Sequence, residues 1–199
     1  VPSPTASPEA TAHASIQPDA TTSPVSAQGT IDGGVRTTVY YQDSYGYLVP
    51  VEKTIAEQTG VAKATLALMV SSPRNDMEAA RLGLRTVIPE GTELDLDIAN
   101  GNARINLTGD VSSLPDAQAE ANMVSAIVQT LTEFDSVETV SFLINGQKAA
   151  KLPHGTSVSG TFSRGLVNLE SASASLPPED AQTVMLYFPG DSTSVIVPV

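Results

Sequence analysis

Cysteine is absent from this chain of 199 residues, which excludes disulfide bonds, thiol catalysis, zinc–thiolate sites and iron–sulfur clusters. Histidine occurs only as His13 and His154. Neither has a second histidine close by, so no transition-metal site is predicted. Long apolar runs are missing too, because no stretch of the sequence could cross a bilayer.

Basic residues are scarce. The chain has 10 Lys and Arg against 22 Asp and Glu, for a formal charge of −12 and an isoelectric point near 4.3. The few basic residues are scattered, whereas binding a phosphate backbone needs clustered Lys and Arg. Nucleic acid and anionic lipid are therefore excluded as partners, and a neutral or basic protein surface is favoured.

Catalytic patterns are also missing from the sequence. Glu93, Asp95 and Asp97 alternate along a predicted strand without the glycine turn of a calcium loop, so they are interpreted as a solvated face. The serines of residues 171–175 have no Gly-x-Ser-x-Gly elbow, and no phosphate-binding glycine loop occurs. His154 stands in a Pro-His-Gly turn and is interpreted as a surface residue. The sequence predicts no catalytic, cofactor-binding or metal-binding residue, no cofactor and no enzymatic activity.

The chain divides by composition. Residues 1–34 are mostly Pro, Ser, Thr and Ala, cannot bury enough apolar surface to offset their ordering entropy, and are predicted to be a disordered tether. Such tethers often follow a membrane anchor in exported bacterial proteins, although an interdomain linker would have the same composition. Residues 35–170 are predicted to form an α/β domain, residues 171–182 a linker, and residues 183–199 a hairpin.

Two hairpins are predicted within the domain. β-Branched and aromatic residues at 37–41 and 47–51 predict the first, and Pro50 limits its second strand to an edge or a bulge. The second joins residues 92–98 to residues 103–107 through an Asn-Gly-Asn turn. Apolar and acidic residues alternate strictly along its first strand. The side chains predicted to form its buried face are Leu94, Leu96 and Ile98.

The remaining pattern predicts helices and a central strand. A helix from about Val61 to Pro73 has the apolar face Ala62, Leu66, Met69 and Val70. A short turn or helix at residues 74–84 would point Met77, Ala80 and Leu84 inward. A second main helix at residues 115–134 has a broad apolar stripe and the predicted wet face Gln118, Asn122, Ser125, Gln129 and Thr132.

The strongly apolar residues 137–144 predict a strand that is central or buried on both faces, followed by a short return at residues 147–152. Helices that follow hairpins and pack on one face of a sheet indicate an α+β fold. The predicted architecture is a two-layer domain of a small mixed or antiparallel sheet with two main helices.

An internal repeat links the two ends of the ordered sequence. Residues 183–199 read TVMLYFPGDSTSVIVPV and residues 38–51 read TVYYQDSYGYLVPV. Each has an aromatic pair at the end of a β run, then a polar turn with Asp and Gly, then Val-Pro-Val. The similarity predicts that a second, truncated copy of the domain begins at residue 183, although two hairpins of similar composition could match by chance.

Several of these features occur in an order that resembles the GerM family of sporulation and spore germination lipoproteins, whose repeated unit is the GerMN domain. The matching motifs are Thr38-Val39-Tyr40-Tyr41, Leu48-Val49-Pro50-Val51, the Ile88-Pro89 turn within residues 86–92, Gln129 to Phe134, Ile144-Asn145-Gly146, Ser163-Arg164 and Asn168-Leu169-Glu170. The sequence departs from the family at residues 69–73, where the family usually has Gly before Pro, so a different turn is expected there.

The resemblance implies a lipid-anchored protein outside the cytoplasm, at the cell surface or between mother cell and forespore, joined to the membrane only through an N-terminal lipid anchor. It implies a structural scaffold for assembly of an envelope channel complex, similar to ring-building modules of secretion systems. The implied partners are envelope and sporulation proteins, with self-association into larger assemblies. No catalytic residue is carried over. The surfaces predicted to make these contacts are residues 116–134 and residues 92–98.

Two other functions remain open from the sequence alone. An envelope module that binds peptidoglycan or a germination signal would use the exposed members of an aromatic group, Tyr40, Tyr41, Tyr45 and Tyr47. Neighbouring strand residues point to opposite faces, so core packing of Tyr40 or Tyr41 is the competing interpretation. A hydrolase would need catalytic residues that the sequence does not supply.

Overall fold

A computed structural model describes residues 30–31, 33–165, 167–168, 187–189 and 196–198. Residues 1–29 of the predicted tether and all of the predicted linker 171–182 lie outside the described residues. The described part is an α+β fold with three α-helices, and its two larger sheets meet around a shared apolar core. The predicted fold class is confirmed, although the strands are divided between sheets rather than joined in one.

The first sheet contains β1 (Thr30–Ile31), β2 (Gly34–Gln42) and β3 (Leu48–Ala56), all antiparallel and in that order. Regular structure therefore begins before residue 35, which corrects the predicted boundary. Gly33 makes this possible, because its φ of 86° permits a tight turn back into β2. At Gly34 a Cβ would lie 2.6 Å from Thr54 Cγ2, so the Thr54 side chain would have to move. As Pro50 predicted, β3 is an edge strand of this sheet.

The second sheet has the order β4–β5–β6–β7, formed by Thr92–Ala99, Asn102–Gly109, Thr139–Ile144 and Thr161–Ser163. The β4–β5 turn confirms the predicted hairpin: Asn100 and Gly101 have φ values of 51° and 76°, as a type I′ turn requires. β6 runs parallel to β5, and the other neighbours are antiparallel. The predicted central strand is confirmed, because β6 lies between β5 and β7.

The predicted return strand at residues 147–152 is wrong. Only isolated bridges join Ile144 to Gln147 and Lys151 to Ser157. The Leu152 N–H is used within its own loop, where it donates to the Thr156 carbonyl at 2.8 Å, so it is not available to a neighbouring strand. The antiparallel neighbour of β6 is instead β7, which ends at residue 163, eleven residues after the end of the predicted return at residue 152.

Two short helices connect the sheets, α1 (Val61–Ala67) and α2 (Pro73–Ala80). Ser72 caps α2 by accepting a hydrogen bond from the Asn75 N–H at 3.2 Å, and Pro73 follows at the first helical position. This start places Ala79 in the core and leaves Met77 59% exposed. The prediction that Met77 and Ala80 point inward is therefore wrong, whereas the buried position of Leu84 is confirmed.

The long helix α3 (Ala117–Leu131) is the connection between the parallel strands β5 and β6. It begins at Asp116, whose side chain accepts from the Ala119 N–H at 2.8 Å. It contacts β2 in the first sheet, β6 in the second, and α1. Its predicted apolar stripe is buried, with Met123, Val124, Ile127, Val128 and Leu131 all at most 5% exposed.

Near the end of the chain, β8 (Tyr187–Pro189) and β9 (Ile196–Pro198) pair as antiparallel strands. Phe188 is opposite Val197 in this register. β9 also lies beside β3, with Cα atoms within 8 Å of it. The end of the chain therefore returns to the first sheet.

Candidate functional site

The predicted wet face of α3 is largely covered. Asn122 and Gln129 are only 8% and 4% exposed, and Thr132 is half-buried, while Gln118 and Ser125 remain exposed. The prediction of a solvated helix face is therefore wrong at Asn122 and Gln129 and confirmed at Gln118 and Ser125. The reason is tertiary, because other segments of the chain pack over this side of α3 and bond to its amide side chains. The side chains of Asn122 and Gln129 are therefore not available to an outside partner.

One covering segment is the turn between β2 and β3. Asn122 donates to the Gly46 carbonyl at 2.9 Å and accepts from Gln118 Nε2 at 2.9 Å. The turn itself is held by Asp43, whose Oδ1 accepts from the N–H groups of Tyr45 and Tyr47 at 2.9 Å each. These contacts fix the hairpin tip against the first half of α3.

The other covering segment follows β7, and its described residues are 164, 165, 167 and 168. Gln129 Nε2 donates to the Gly165 carbonyl at 2.7 Å. Asn168 makes two hydrogen bonds with Leu48, accepting from its N–H at 2.7 Å and donating to its carbonyl at 2.8 Å. A buried amide without a partner would cost free energy, so these bonds explain why polar residues are tolerated beneath the segment.

An ionic cluster begins the same segment. The Arg164 guanidinium donates to the Glu133 carboxylate and, at 3.2 Å, to the Tyr40 hydroxyl. Tyr40 in turn donates to Glu133 at 3.2 Å. Burial raises the pKa of Tyr40 to about 12, and the Glu133 carboxylate adds to the rise while Arg164 opposes it. The cluster joins β2, the end of α3 and the segment after β7, and its groups are already paired with one another.

The four tyrosines do not form one aromatic platform. Tyr40 and Tyr41 are 5% and 1% exposed, which confirms the competing prediction of core packing. Burial raises the pKa of Tyr41 to about 12 as well. Tyr45 is 74% exposed and Tyr47 is half-buried. Both line an open hollow of about 470 Å³. Its polar lining includes Gln118, Asn122 and Ser125.

Glu120 is a buried carboxylate that sequence reasoning missed. It is 0% exposed on the core side of α3 and accepts from the His154 N–H at 2.7 Å and the Thr156 N–H at 3.2 Å. Desolvation alone would raise its pKa, but these backbone hydrogen bonds outweigh it and hold the pKa below its usual value. The sequence signal that could have identified it is the position of this Glu within the apolar stripe of the helix, where a buried side chain is expected.

His154 is part of this loop rather than of a catalytic group. Its Nε2 lies 2.7 Å from the Leu114 carbonyl, so the ring spans from the loop to the residue preceding Pro115. Thr156 Oγ1 donates to the Ala117 carbonyl at 3.2 Å. These contacts tie the loop between β6 and β7 to the beginning of α3, and His13 lies outside the described residues.

The carboxylates of β4 form a solvated face, as predicted. Glu93, Asp95 and Asp97 are all exposed. Asp95 is 3.7 Å from Lys63 Nζ, and Asp97 is 2.7 Å from Arg104 Nη2 on the neighbouring strand. The opposite face is less buried than predicted, because Leu94 and Leu96 are half-buried and Ile98 is 37% exposed. Ile98 lies near the hairpin tip, where the core no longer covers the strand.

Among residues 30–31, 33–165, 167–168, 187–189 and 196–198, no cluster of three or more His, Asp or Glu could hold a metal ion. No helix in those ranges is long and apolar enough to span a membrane. Four hollows between described residues are lined by mixed polar and apolar side chains. The polar contacts of the described side chains named above are hydrogen bonds and ion pairs within the chain, and they connect its helices, strands and loops.

A family model described as "Germane: Sporulation and spore germination" matches residues 38–150, which is more than half of the chain. The chain belongs to the Germane family. Its role is therefore in sporulation or spore germination. The matched residues run from β2 to the loop after β6, so they contain α3 and most of both larger sheets.

One curated relative is the spore germination protein GerM of Bacillus subtilis (strain 168), which is 28% identical over 169 residues. The alignment covers 83% of this chain and 46% of GerM, so the Germane chain described here spans less than half the length of that relative.

Two solved structures are similar to this Germane chain. The tandem GerMN domains of GerM from B. subtilis match with a TM-score of 0.70 and 26% identity, over 83% of this chain and 59% of theirs. The first GerMN domain of the same protein matches with a TM-score of 0.60 and 28% identity, over 65% of this chain and 98% of its own. The predicted resemblance to GerMN domains is confirmed.

Proposed function

We propose that this Germane protein is a non-enzymatic scaffold that helps to assemble a protein complex in the envelope of the sporulating cell, such as a channel between mother cell and forespore. The observation that carries the proposal is the outer edge of β4. β4 pairs with β5 along all of Thr92–Ala99, and no strand of the described part pairs with its other side. An open edge strand presents backbone N–H and C=O groups to which another chain can pair.

The side chains of this edge favour a basic partner. Three carboxylates are exposed along β4, and Lys63 and Arg104 balance two of them only through solvent-exposed ion pairs. Such pairs contribute little and exchange readily with other cations. The exposed Ile98 adds an apolar contact at one end of the row. An extended segment carrying Lys or Arg fits both the backbone and the charges of this edge.

The proposed position of the protein is outside the cytoplasm, held to the membrane by a lipid anchor at the far end of the tether. The resemblance to the GerM lipoproteins supports this position. Detergent-phase partitioning of the full-length protein from sporulating cells tests it, and recovery of the protein in the cytoplasmic fraction would contradict it.

The test of the scaffold proposal changes the β4 edge in the full-length protein. Glu93→Lys combined with Ile98→Asp should abolish recruitment to the sporulation septum and lower spore yield, while the thermal midpoint of the purified chain stays unchanged. Met77→Asp is the matched control, because Met77 is also an exposed apolar residue but lies on α2. Normal recruitment of the double variant would show that this edge is not the docking surface.

A second measurement tests the absence of enzymatic activity. The folded chain is incubated with purified cell-wall sacculi, peptides and model esters, and no soluble fragment or hydrolysis product is expected. Release of fragments that scales with protein concentration and survives repeated purification would reopen the hydrolase hypothesis.

The hollow at Tyr45 supports a second candidate function, an envelope module that binds peptidoglycan or a germination signal. An exposed aromatic ring beside amide and hydroxyl groups suits a polar ligand with apolar faces. Soluble peptidoglycan fragments should then shift the NMR signals of Tyr45, Gln118 and Ser125, and Tyr45→Ala should remove those shifts. Unchanged spectra at millimolar fragment would remove this candidate.

A further inference from the structure

The outer edge of β3 is occupied at its first residue. Gln42 and Leu48 are opposite each other in the β2–β3 ladder. Gln42 exchanges both of its backbone hydrogen bonds with Arg85, at 3.0 and 2.7 Å, on the far side of β2. Gln42 and Leu48 are therefore a non-hydrogen-bonded pair, and the backbone groups of Leu48 point away from β2. Asn168 binds both of these groups through its side-chain amide, as a neighbouring strand would.

The segment that carries Asn168 is held at two further points. Gln129 donates to the Gly165 carbonyl from a buried position on α3. Arg164 is paired with Glu133 and Tyr40 at the end of the same helix. Asn168 itself has a φ of 56°, the left-handed conformation that turns a chain sharply. The position of the chain at Asn168 is thus set by side-chain contacts at Arg164, Gly165 and Asn168 itself.

Further along the chain, β9 lies close to β3 again. β9 lies beside β3, so the β8–β9 hairpin and Asn168 share one strand as their neighbour. An isolated two-stranded hairpin is marginal in water, and docking on a larger sheet is the usual way to stabilise one. Holding the chain at residue 168 raises the effective concentration of the hairpin at β3.

We infer that Arg164, Gly165 and Asn168 form a clamp that seats the β8–β9 hairpin on the outer edge of β3, with Asn168 as the first contact of that interface. The occupant of this edge is the hairpin of the same chain, whose sequence repeats β2–β3. A second unit that begins with this hairpin would be set at a defined orientation to the first. The inference does not depend on the partner proposed for β4, which lies in the other sheet.

Amide hydrogen exchange of the whole chain, followed by NMR, tests the clamp. Asn168→Gly removes the side chain while glycine accepts the positive φ, and Asn145→Gly is the matched control because Asn145 has a φ of 51° and is exposed outside the clamp. In Asn168→Gly, exchange at Leu48 and Val197 should accelerate by about tenfold or more, and Asn145→Gly should leave both unchanged. The core amide of Ile105 reports whether each variant is folded.

A triple variant, Asn168→Gly with Gln129→Ala and Arg164→Ala, removes all three points of the clamp. It should bring Val197 exchange to the rate of an unstructured amide while Ile105 stays protected. Unprotected Val197 in the wild type would show that the hairpin is not seated, and protection retained in the triple variant would show that the clamp does not hold it. Acceleration at Leu48 without any change at Val197 would also overturn the inference, because the contact would then be purely local.

Discussion

The Glu120 carboxylate holds the loop after β6 to the beginning of α3, through the N–H groups of His154 and Thr156. Hydrogen bonds to a charged, buried acceptor contribute more to stability than bonds between neutral groups. An N–H group that faces another donor instead of an acceptor is left without a hydrogen bond. This single side chain therefore holds residues 154–156 in place without a strand ladder.

Replacement of this carboxylate should be destabilising. Glu120→Gln keeps one acceptor oxygen but turns its amide N–H₂ toward one of the two donors. We expect the free energy of unfolding at pH 7 to fall by about 1–3 kcal/mol in urea melts. Glu93→Gln, an exposed carboxylate of β4, is the control and should stay within about 0.5 kcal/mol of the wild type. Equal effects of the two substitutions would mean that Glu120 does not hold the loop.

The same residue predicts a pH dependence with a defined sign. The pKa of Glu120 is lowered by folding, so its contribution to stability is complete above its ordinary value of 4.5 and is lost as pH falls from there through the folded value. The stability difference between wild type and Glu120→Gln should therefore shrink below about pH 4.5. A difference that stays constant down to pH 3, measured by urea melts, would contradict the assignment.

The two buried tyrosines predict the opposite sign at high pH. Folding raises the pKa of Tyr40 and Tyr41 from 10.0 to about 12, so their contribution is complete below pH 10 and is lost as pH rises toward 12. Absorbance titration near 295 nm should show two of the five tyrosines ionising late, together with unfolding. Tyr40→Phe should reduce the late group to one, and two late tyrosines in that variant would refute the assignment.

At the scale of elements, α3 is the helix that both larger sheets depend on, since it contacts β2 and β6. Leu131 is 0% exposed near its end, whereas Ser125 is exposed on the same helix. Leu131→Ala should cost about 2–5 kcal/mol, because it leaves a cavity in a packed core. Ser125→Ala should change stability by less than about 0.5 kcal/mol. A cost below 0.5 kcal/mol for Leu131→Ala in denaturant melts would show that the site is not packed as described.

At the scale of the whole molecule, the charge of −12 is the dominant long-range term. Like charges repel in the compact state, and salt screens that repulsion over about 10 Å at 0.1 M. Raising NaCl from about 0.02 M to about 0.2 M should therefore raise the thermal midpoint. Chloride is used because sulfate stabilises proteins by exclusion from their surface. A midpoint that falls with NaCl would mean that the surface ion pairs outweigh the repulsion.

The sequence pattern alone predicted the elements that depend on interactions between residues near one another in the chain. Alternation identified β4, the Asn100-Gly101 turn identified its hairpin, and helical spacing identified the buried stripe of α3. Each depends on backbone conformation and on side chains within a few residues, so neighbouring residues carry the information. The order of motifs was sufficient for the family, because the GerMN resemblance is confirmed by residues 38–150.

Tertiary structure alone decided which polar residues are covered. Gln129 and Asn122 have the spacing of a wet helix face, and nothing near them in sequence indicates that residues 165 and 46 will pack over them. β7 and the clamp residue Asn168 likewise acquire their partners from strands 20 or more residues away, β6 and the start of β3. Burial and edge pairing are properties of surfaces brought together by folding, and a periodic pattern records only which side a residue is on, not what comes to lie against it.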